Sequence, residues 1–415
     1  MASTPPNPQR DFARQLVMQL RRAGYEALWA GGCVRDELLG RTPKDYDVAT
    51  SARPDQVREL FGDRPTLPIG AAFGVIAVRG PRGAGTVEVA TFRTDGAYSD
   101  GRRPDEVRFS TPEHDAQRRD FTINGLFFDP LAEQVIDYVG GRADLERRVI
   151  RAIGLAEERF EEDKLRMLRA VRFAATFEFT LEAETQAAVT RHAAEISRVS
   201  PERIAGELRR MLVHPTRARA LELLLETGLL HAIVPPLAEL AGLEREPALA
   251  LLHALEEPTF AVAWAALARR LRPSSSDLAA WGKQLRLSNE EIEGAAWFLP
   301  ALEVVRNAPR LPWSRVQRVL VHPRVEELMT LLAAEVSAGQ AEAESLAFCR
   351  ERLNWSREEL DPPPLLTGDD LIAHGVPRGP AYRDLLEAVR TEQLERRIST
   401  RDEALALIDR LRAAE

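Results

Sequence analysis

Cysteine and long apolar runs are both scarce in this 415-residue chain. Cys33 and Cys349 are the only cysteines, so no multi-cysteine metal cluster can form and no structural zinc is implied. A single disulfide between them would require an oxidising compartment. No apolar stretch is long enough to span a bilayer, and the opening MASTPPNPQR has no apolar core of the signal-peptide kind. The expectation is a cytoplasmic chain with no membrane partner. Positive charge is not in surplus either: 56 Lys and Arg face 64 Asp and Glu, a formal net charge of −8. This balance argues against sequence-blind coating of long nucleic acid. It leaves room for a local site, because Arg102-Arg103, Arg118-Arg119 and Arg147-Arg148 sit among acidic blocks. The length exceeds what one core usually serves, so two to four domains are expected.

Taken in order, Asp11–Ala23 puts Phe12, Leu16, Val17 and Leu20 on one helical face and is stopped by Gly24. Tyr25–Ala30 reads as a short strand running into Gly31-Gly32, and Val34–Leu39 as the start of a helix. Strand, glycine turn and helix start let backbone N–H groups approach a phosphate, with Arg35 adding charge; a glycine pair alone is only a turn. In the stretch KDYDVAT a strand would turn Asp45 and Asp47 to one side, a like-charge arrangement that asks for cations between them. Two Mg²⁺ ions roughly 3.5–4 Å apart would answer that need and could drive phosphoryl transfer. A surface turn is the competing reading.

A helix is expected near Pro54–Phe61, followed by Gly74–Arg79 and Thr86–Phe92 as the two strands of a hairpin. Glu88 interrupts the second strand, as a third metal-site carboxylate would, or as an acid on a solvent face. Arg93–Arg108, rich in Gly, Asp and Arg, has neither helical nor strand period and reads as a mobile, functional loop. Arg118–Asn124 (RRDFTIN) supplies two cations for phosphates, then Asp120 and Asn124 four residues apart, able to hydrogen-bond a ribose hydroxyl; Asp120 capping a helix competes. From Asp144 onward helical period dominates.

Glu162–Arg172 (EDKLRMLRAVR) repeats Glu162, Asp163, Arg166, Arg169 and Arg172 at three- and four-residue steps. One helix there would show an acid and a ladder of guanidiniums on one side, with Leu165, Leu168 and Val171 packing on the other. Asp163 offers only acceptors and Arg166 only donors, so the pair could read the mixed edge of a nucleobase. A solvated face of ion pairs is the alternative.

The order GGCVRD, KDYDVAT, VEVATFR, a loop ending in GRRPDEV, RRDFTIN, EDKLRMLRAVRFA and SPERIAGEL (Ser200–Leu208) resembles the class II tRNA nucleotidyltransferases, the CCA-adding enzymes, and their bacterial poly(A) polymerase relatives. The match is specific from about Gly24 to Leu212. The resemblance implies an α+β protein: a nucleotidyltransferase head with a mixed β-sheet (1–143), a helical neck with a base-reading helix (144–214), a helical body (215–360) and a helical tail (361–415) that grips the tRNA elbow. It implies that Asp45 and Asp47 are the catalytic, Mg²⁺-binding aspartates and Glu88 the third active-site carboxylate. Gly31, Gly32, Arg35 and Arg119 fall at nucleotide-binding positions, and Asp120 and Asn124 in the motif associated with the sugar. Asp163 and Arg166 match the pair that reads the incoming base, Arg169 and Arg172 line its pocket, and Ser200–Leu208 braces the templating helix. The implied reaction is attack of the tRNA 3′ hydroxyl on the α-phosphate of CTP or ATP with release of pyrophosphate.

Within that chemistry, an enzyme adding only the terminal A is the main rival. The Arg93–Arg108 loop counts against a CC-only enzyme, and a poly(A) polymerase is less favoured because its extra basic signature after the Asp-x-Asp strand is missing. An RNA-binding protein with a decayed head would have lost Asp45, Asp47 or Arg166, and all three are present. The phosphohydrolase domain carried by some relatives is not expected, since His253 is followed by Ala254. The C-terminal half resembles the family less closely. Its amphipathic runs are Leu221–Leu230, Ala248–Leu255, Ala261–Leu271, Glu290–Leu302 and Arg315–Leu332, followed by a rigid linker at Asp361–Pro364 and a last helical unit with Arg378 and Arg383 as candidate RNA contacts. Nothing in the sequence fixes the oligomeric state.

Overall fold

The computed structural model describes residues 7–70, 73–96, 107–379 and 381–413. The chain forms two compact units, one of Met1–Met211 with Arg219–Ala238, the other of Leu212–Ala218 with Glu239–Glu415.

The first unit opens with α1 (Pro8–Arg22), whose N-terminus is capped by the Asn7 side chain and whose buried stripe is Ala13, Leu16, Val17 and Leu20. Gly24, at φ +88°, turns the chain into β1 (Ala27–Ala30), two residues later than the sequence suggests and buried throughout. Then come α2 (Gly32–Leu38), β2 (Asp47–Thr50), α3 (Pro54–Phe61), β3 (Thr66–Gly70), β4 (Val75–Arg79) and β5 (Thr86–Thr91). After them follow β6 (Arg93–Asp95), β7 (Val107–Phe109), α4 (Pro112–Gln117), β8 (Leu126–Asp129) and β9 (Gln134–Asp137).

Seven of these strands make one sheet in the order β3-β4-β5-β2-β1-β8-β9. The expected hairpin is β4 against β5. Beside it β2 and β5 run parallel, with Asp47 opposite Glu88, while the other pairings are antiparallel, so the sheet is mixed. Asp45 is not in a strand, as the sequence reading had it; β2 begins at Asp47, and Asp45 stands exposed just before it. The Arg93–Arg108 segment is not wholly irregular, because β6 and β7 pair antiparallel and bring Arg93 opposite Phe109. Its centre, 97–106, with Arg102-Arg103 and all of the GRRPDEV stretch but Val107, lies outside the described residues.

Five helices complete the region that carries the site: α5 (Gly141–Arg147), α6 (Ala156–Glu162), α7 (Leu165–Phe177), α8 (Ala183–His192) and α9 (Pro201–Leu212). Strand structure does not end at Asp144, for Val149–Ile150 and Thr180–Leu181 form a short parallel ladder among them. The single helix expected over Glu162–Arg172 is two. Asp163 is extended, at φ −149° and ψ 104°. Its Oδ1 accepts from Leu165 N at 3.0 Å, so one oxygen of the side chain that a continuous helix would have displayed helps to start the next one.

The second unit is helical among its described residues, and the first unit's Leu221–Leu230 run divides into Arg217–Glu226 and Leu229–Ile233 at Gly228, which sits at φ +74°. The Arg315–Leu332 run likewise divides, into Trp313–Leu320 and Val325–Ser337. Pro300 lies inside the Asn289–Arg306 helix and has no N–H to give the Ala296 carbonyl one turn earlier; Ser275 Oγ donates to that carbonyl instead, at 3.0 Å. Asp361–Pro363 is pinned rather than free-standing, because Asp361 and the carbonyls of Pro362 and Pro363 accept from Arg390 and Gln393. Beyond it, Leu366, Leu371, Val376, Leu385, Val389, Ile398, Ala404 and Ile408 bury one another in a cluster of their own. Both cysteines are buried and free. No described helix is long and apolar enough to cross a membrane.

Candidate active site

The site grows from the turn between β1 and α2. Gly31 sits at φ +76°, a backbone conformation that favours glycine, and a Cβ there would stand 2.7 Å from Arg119 Nη1 and push that side chain aside. Gly32 begins α2, and Arg35 follows on its inner face, buried, with Nε on Asp36 Oδ1 at 2.8 Å and Nη1 on Asn124 Oδ1 at 2.5 Å. These groups, with Arg118, Arg119, Asp120, Asn124, Asp163, Arg166, Arg169, Arg172 and Phe173, line one cleft of about 550 Å³. All ten residues predicted to bind nucleotide therefore converge on it.

The three predicted catalytic carboxylates lie beside the cleft rather than in its lining. Parallel pairing holds Asp47 and Glu88 on adjacent strands, and Asp45, two residues before Asp47, adds its charge. Burial, with Glu88 and Asp45 against it and only Arg119 helping, pushes the Asp47 carboxyl up to about 6. This carboxylate cluster would be relieved by a cation, although the carboxylate oxygens of Asp45, Asp47 and Glu88 do not all lie within 4.8 Å of one another and Glu88 is exposed. All of its donors are hard oxygens, which fits a divalent ion of the Mg²⁺ kind.

The Asp120 carboxylate is taken up within the protein, whereas Asn124 keeps one Nδ2 hydrogen and lines the cleft. The Asp120 carboxylate accepts from Arg169 Nε and Nη2 at 2.8 and 2.6 Å, from Phe121 N at 2.8 Å and from Asn124 Nδ2 at 3.0 Å. Burial alone would raise this carboxyl, but Arg169 and the Asn124 hydrogen bond hold it down at about 2. Asp120 thus joins RRDFTIN to α7 and, through Asn124, to Arg35.

Asp163 and Arg166 face the same cleft; Arg166 N donates to the Asp163 carbonyl at 3.0 Å, but their side chains pair with other residues. Asp163 Oδ2 is 2.7 Å from Arg203 Nη2, and Arg166 Nη1 is 2.5 Å from Glu162 Oε2, with further bonds to the carbonyls of Arg159 and Arg118. The Ser200–Leu208 stretch meets α7 through Glu207, on Arg172 Nε at 2.5 Å, and the residue between α6 and α7 through Arg203, on Asp163.

Sequence reasoning missed several residues that set this geometry. Asp115 is 1 % exposed and accepts from both Arg118 and Arg119; burial would raise it, yet those two guanidiniums keep it below the usual carboxylate range. Its signal was an acid three and four residues before an arginine pair. Glu162, read only as one rung of the ladder, is the acid that holds Arg166. Arg203 and Glu207 are four apart in a helical stretch and leave no sign of their partners. At the helix break, Lys164 is 4 % exposed with Nζ 3.1 and 3.0 Å from carboxylates of Glu161 and Glu195. Glu161, His192 and Glu195 could together hold a metal, but the Lys164 ammonium already supplies the positive charge.

Residues 27–151 match the poly A polymerase head domain, and 178–240 match a probable RNA- and SrmB-binding site of polymerase A. The chain is 36 % identical over 388 residues to a CCA-adding enzyme of Geobacillus kaustophilus, covering 92 % of each chain. It is 41 % identical over 301 residues to that of Geobacillus stearothermophilus, covering 71 % of each. Among solved structures, the Bacillus stearothermophilus CCA-adding enzyme in complex with CTP superposes with a TM-score of 0.76 at 31 % identity, covering 99 % of both chains. The Thermotoga maritima CCA-adding enzyme complexed with tRNA has the same fold, at a TM-score of 0.64 and 20 % identity over 98 % of this chain and 95 % of that one. With relatives matched over nearly their whole length and a head, cleft and helical remainder of the same architecture, the chain belongs to the family of CCA-adding enzymes.

Proposed function

We infer that this chain adds CCA to the 3′ end of tRNA from CTP and ATP, releasing pyrophosphate. The observation that carries the reading is the juxtaposition of the Asp47/Glu88 strand pair with a single arginine-rich cleft in which every expected nucleotide-binding side chain meets. Nucleotidyltransferases of this family use divalent metal ions. Asp45 and Asp47 would hold them, Glu88 completes the carboxylate set, and the ion is Mg²⁺. When bound, it supplies the charge that favours an ionised 3′ oxygen and offsets the departing pyrophosphate.

The protein's own groups do the rest. Arg35 and Arg119, with the backbone at Gly31-Gly32, hold the triphosphate so that its α-phosphorus lies in line with the tRNA 3′ oxygen. Asp120 keeps Arg169 and Asn124 in place beneath the sugar. Asp163 accepts from the exocyclic amine that cytosine and adenine share, and Arg166 donates to the neighbouring ring nitrogen; uracil and guanine present the opposite pattern. Selection is made by protein hydrogen bonds, with no nucleic-acid template. The division into head (1–143), neck (144–214), body (215–360) and tail (361–415), with the tail on the tRNA elbow, belongs to the same proposal, as does residence in the cytoplasm. The separate cluster of buried residues from Leu366 to Ile408 supports the last of those boundaries.

The test is incorporation of labelled CTP and ATP into tRNA by the wild type and by Asp47→Ala. Loss of at least a thousandfold in the variant, with tRNA binding kept, is expected. Incorporation by Asp47→Ala at the wild-type rate, or none by the wild type at any Mg²⁺ concentration, refutes it.

A further inference from the structure

Three of the guanidiniums in the cleft share one aromatic ring. The Phe173 centroid lies 4.1 Å from Arg172 Cζ, 5.3 Å from Arg169 Cζ and 5.4 Å from Arg35 Cζ. The ring itself is fixed, meeting Phe121 edge-on at 5.8 Å and 79° and stacking with Phe177 at 6.0 Å and 12°. Phe177 in turn lies under Arg35 and Arg41, at 4.6 and 5.0 Å. Each of the three arginines has one acid, Asp36 for Arg35, Asp120 for Arg169 and Glu207 for Arg172. One ion pair fixes an edge of a guanidinium and leaves its plane freer to swing; a ring face restrains the plane, and for Arg35 the Asn124 Oδ1 contact adds to that restraint.

The chain also favours the cation that can use such a face. Only three of its 56 basic residues are lysine, Lys44, Lys164 and Lys283. A planar guanidinium stacks on an aromatic ring as well as pairing with an acid, whereas an ammonium is a more strongly hydrated point charge.

We propose that Phe173 is a positioning residue whose π face sets the planes of Arg35, Arg169 and Arg172, so that nucleotide affinity depends on the ring's electrons and not only on its volume. The proposal rests on the nucleotide-transfer reading above. Phe173 is 6 % exposed and has no hydrogen-bonding group to offer, so any polar hold on nucleotide passes through the arginines it restrains. A purely packing role would be indifferent to the sign of charge on the ring face.

The experiment places mono-, di- and trifluorophenylalanine at position 173 of the full-length chain. Fluorination keeps the shape and withdraws electron density from the face. KM for CTP and for ATP, measured with saturating tRNA, is expected to rise step by step, by about tenfold for the trifluoro ring, with kcat within about twofold and Tm unchanged. Phe173→Tyr, which keeps the face, stays near the wild type, and Phe173→Leu at least matches the trifluoro ring in KM. Equal KM across the fluorinated series overturns the proposal, as does a KM rise confined to variants whose Tm falls. If the wild type binds CTP but transfers none of it, the functional reading fails instead, and equilibrium CTP affinity across the same series still decides the role of the ring.

Discussion

Asp120 shows how a residue's chemistry can be legible and its partners not. Its side chain was readable as an acceptor near a sugar, yet the structure spends every lone pair it has on Arg169, Asn124 and Phe121 N. Nothing local marks Arg169, 49 residues away, as the counter-ion. Because the folded Asp120 carboxyl is held at about 2, below its unfolded value, its contribution to stability is present above pH 4 and is lost as pH falls from there towards 2. Asp120→Asn is therefore expected to lower stability at pH 7 by about 3 kcal/mol, with the difference from wild type shrinking below pH 4; urea midpoints across that range measure it. Arg203→Ala acts on specificity instead. With Asp163 released from its brace, misincorporation of UTP or GTP relative to CTP should rise about tenfold while Tm moves by no more than a few degrees, read from single-nucleotide extension of a tRNA lacking CCA.

Most elements of the sheet region were legible because each pattern was local: the α1 stripe, the β4–β5 alternation and the glycine turn before α2 all follow from neighbours in sequence. The break between α6 and α7 was not, since periodicity is blind to a single extended residue when the hydrophobic phase survives on both sides of it. Lys164 bridges two acids at that break, and Lys164→Met leaves Glu161 without this partner while Glu195 keeps Arg198 at 3.0 Å. Since Glu161 is 59 % exposed, solvent softens the loss, and about 1–2 kcal/mol is expected in thermal melts. The Pro300 helix offers a cleaner element-level test. Ser275→Ala should cost about 1 kcal/mol in the wild type and almost nothing in a Pro300→Ala background, where Ala296 regains its own helical partner. Equal cost in both backgrounds would mean that the serine does not answer the proline.

At the scale of the whole molecule, the ordered motifs made the family recognisable over about half the chain, and the rest was legible only as helices. The reason is physical: a helical scaffold can be built from many apolar sequences, whereas a cleft that must present fixed donors at fixed points cannot. What the full chain does is tested with three tRNAs, ending at the discriminator base, at C and at CC. Growth of the first to CCA with CTP and ATP together is expected; extension of only the CC-ending tRNA by one A would make the chain an A-adding enzyme. Finally, the parallel pairing of β2 with β5 has a bearing on how such a protein can diverge. Asp47 and Glu88 are neighbours by ladder register, although 41 positions separate them in sequence. The pairing does not depend on the length of the connecting turns, whereas a slip of one residue in β5 would turn Glu88 to the opposite face of the sheet, away from Asp47.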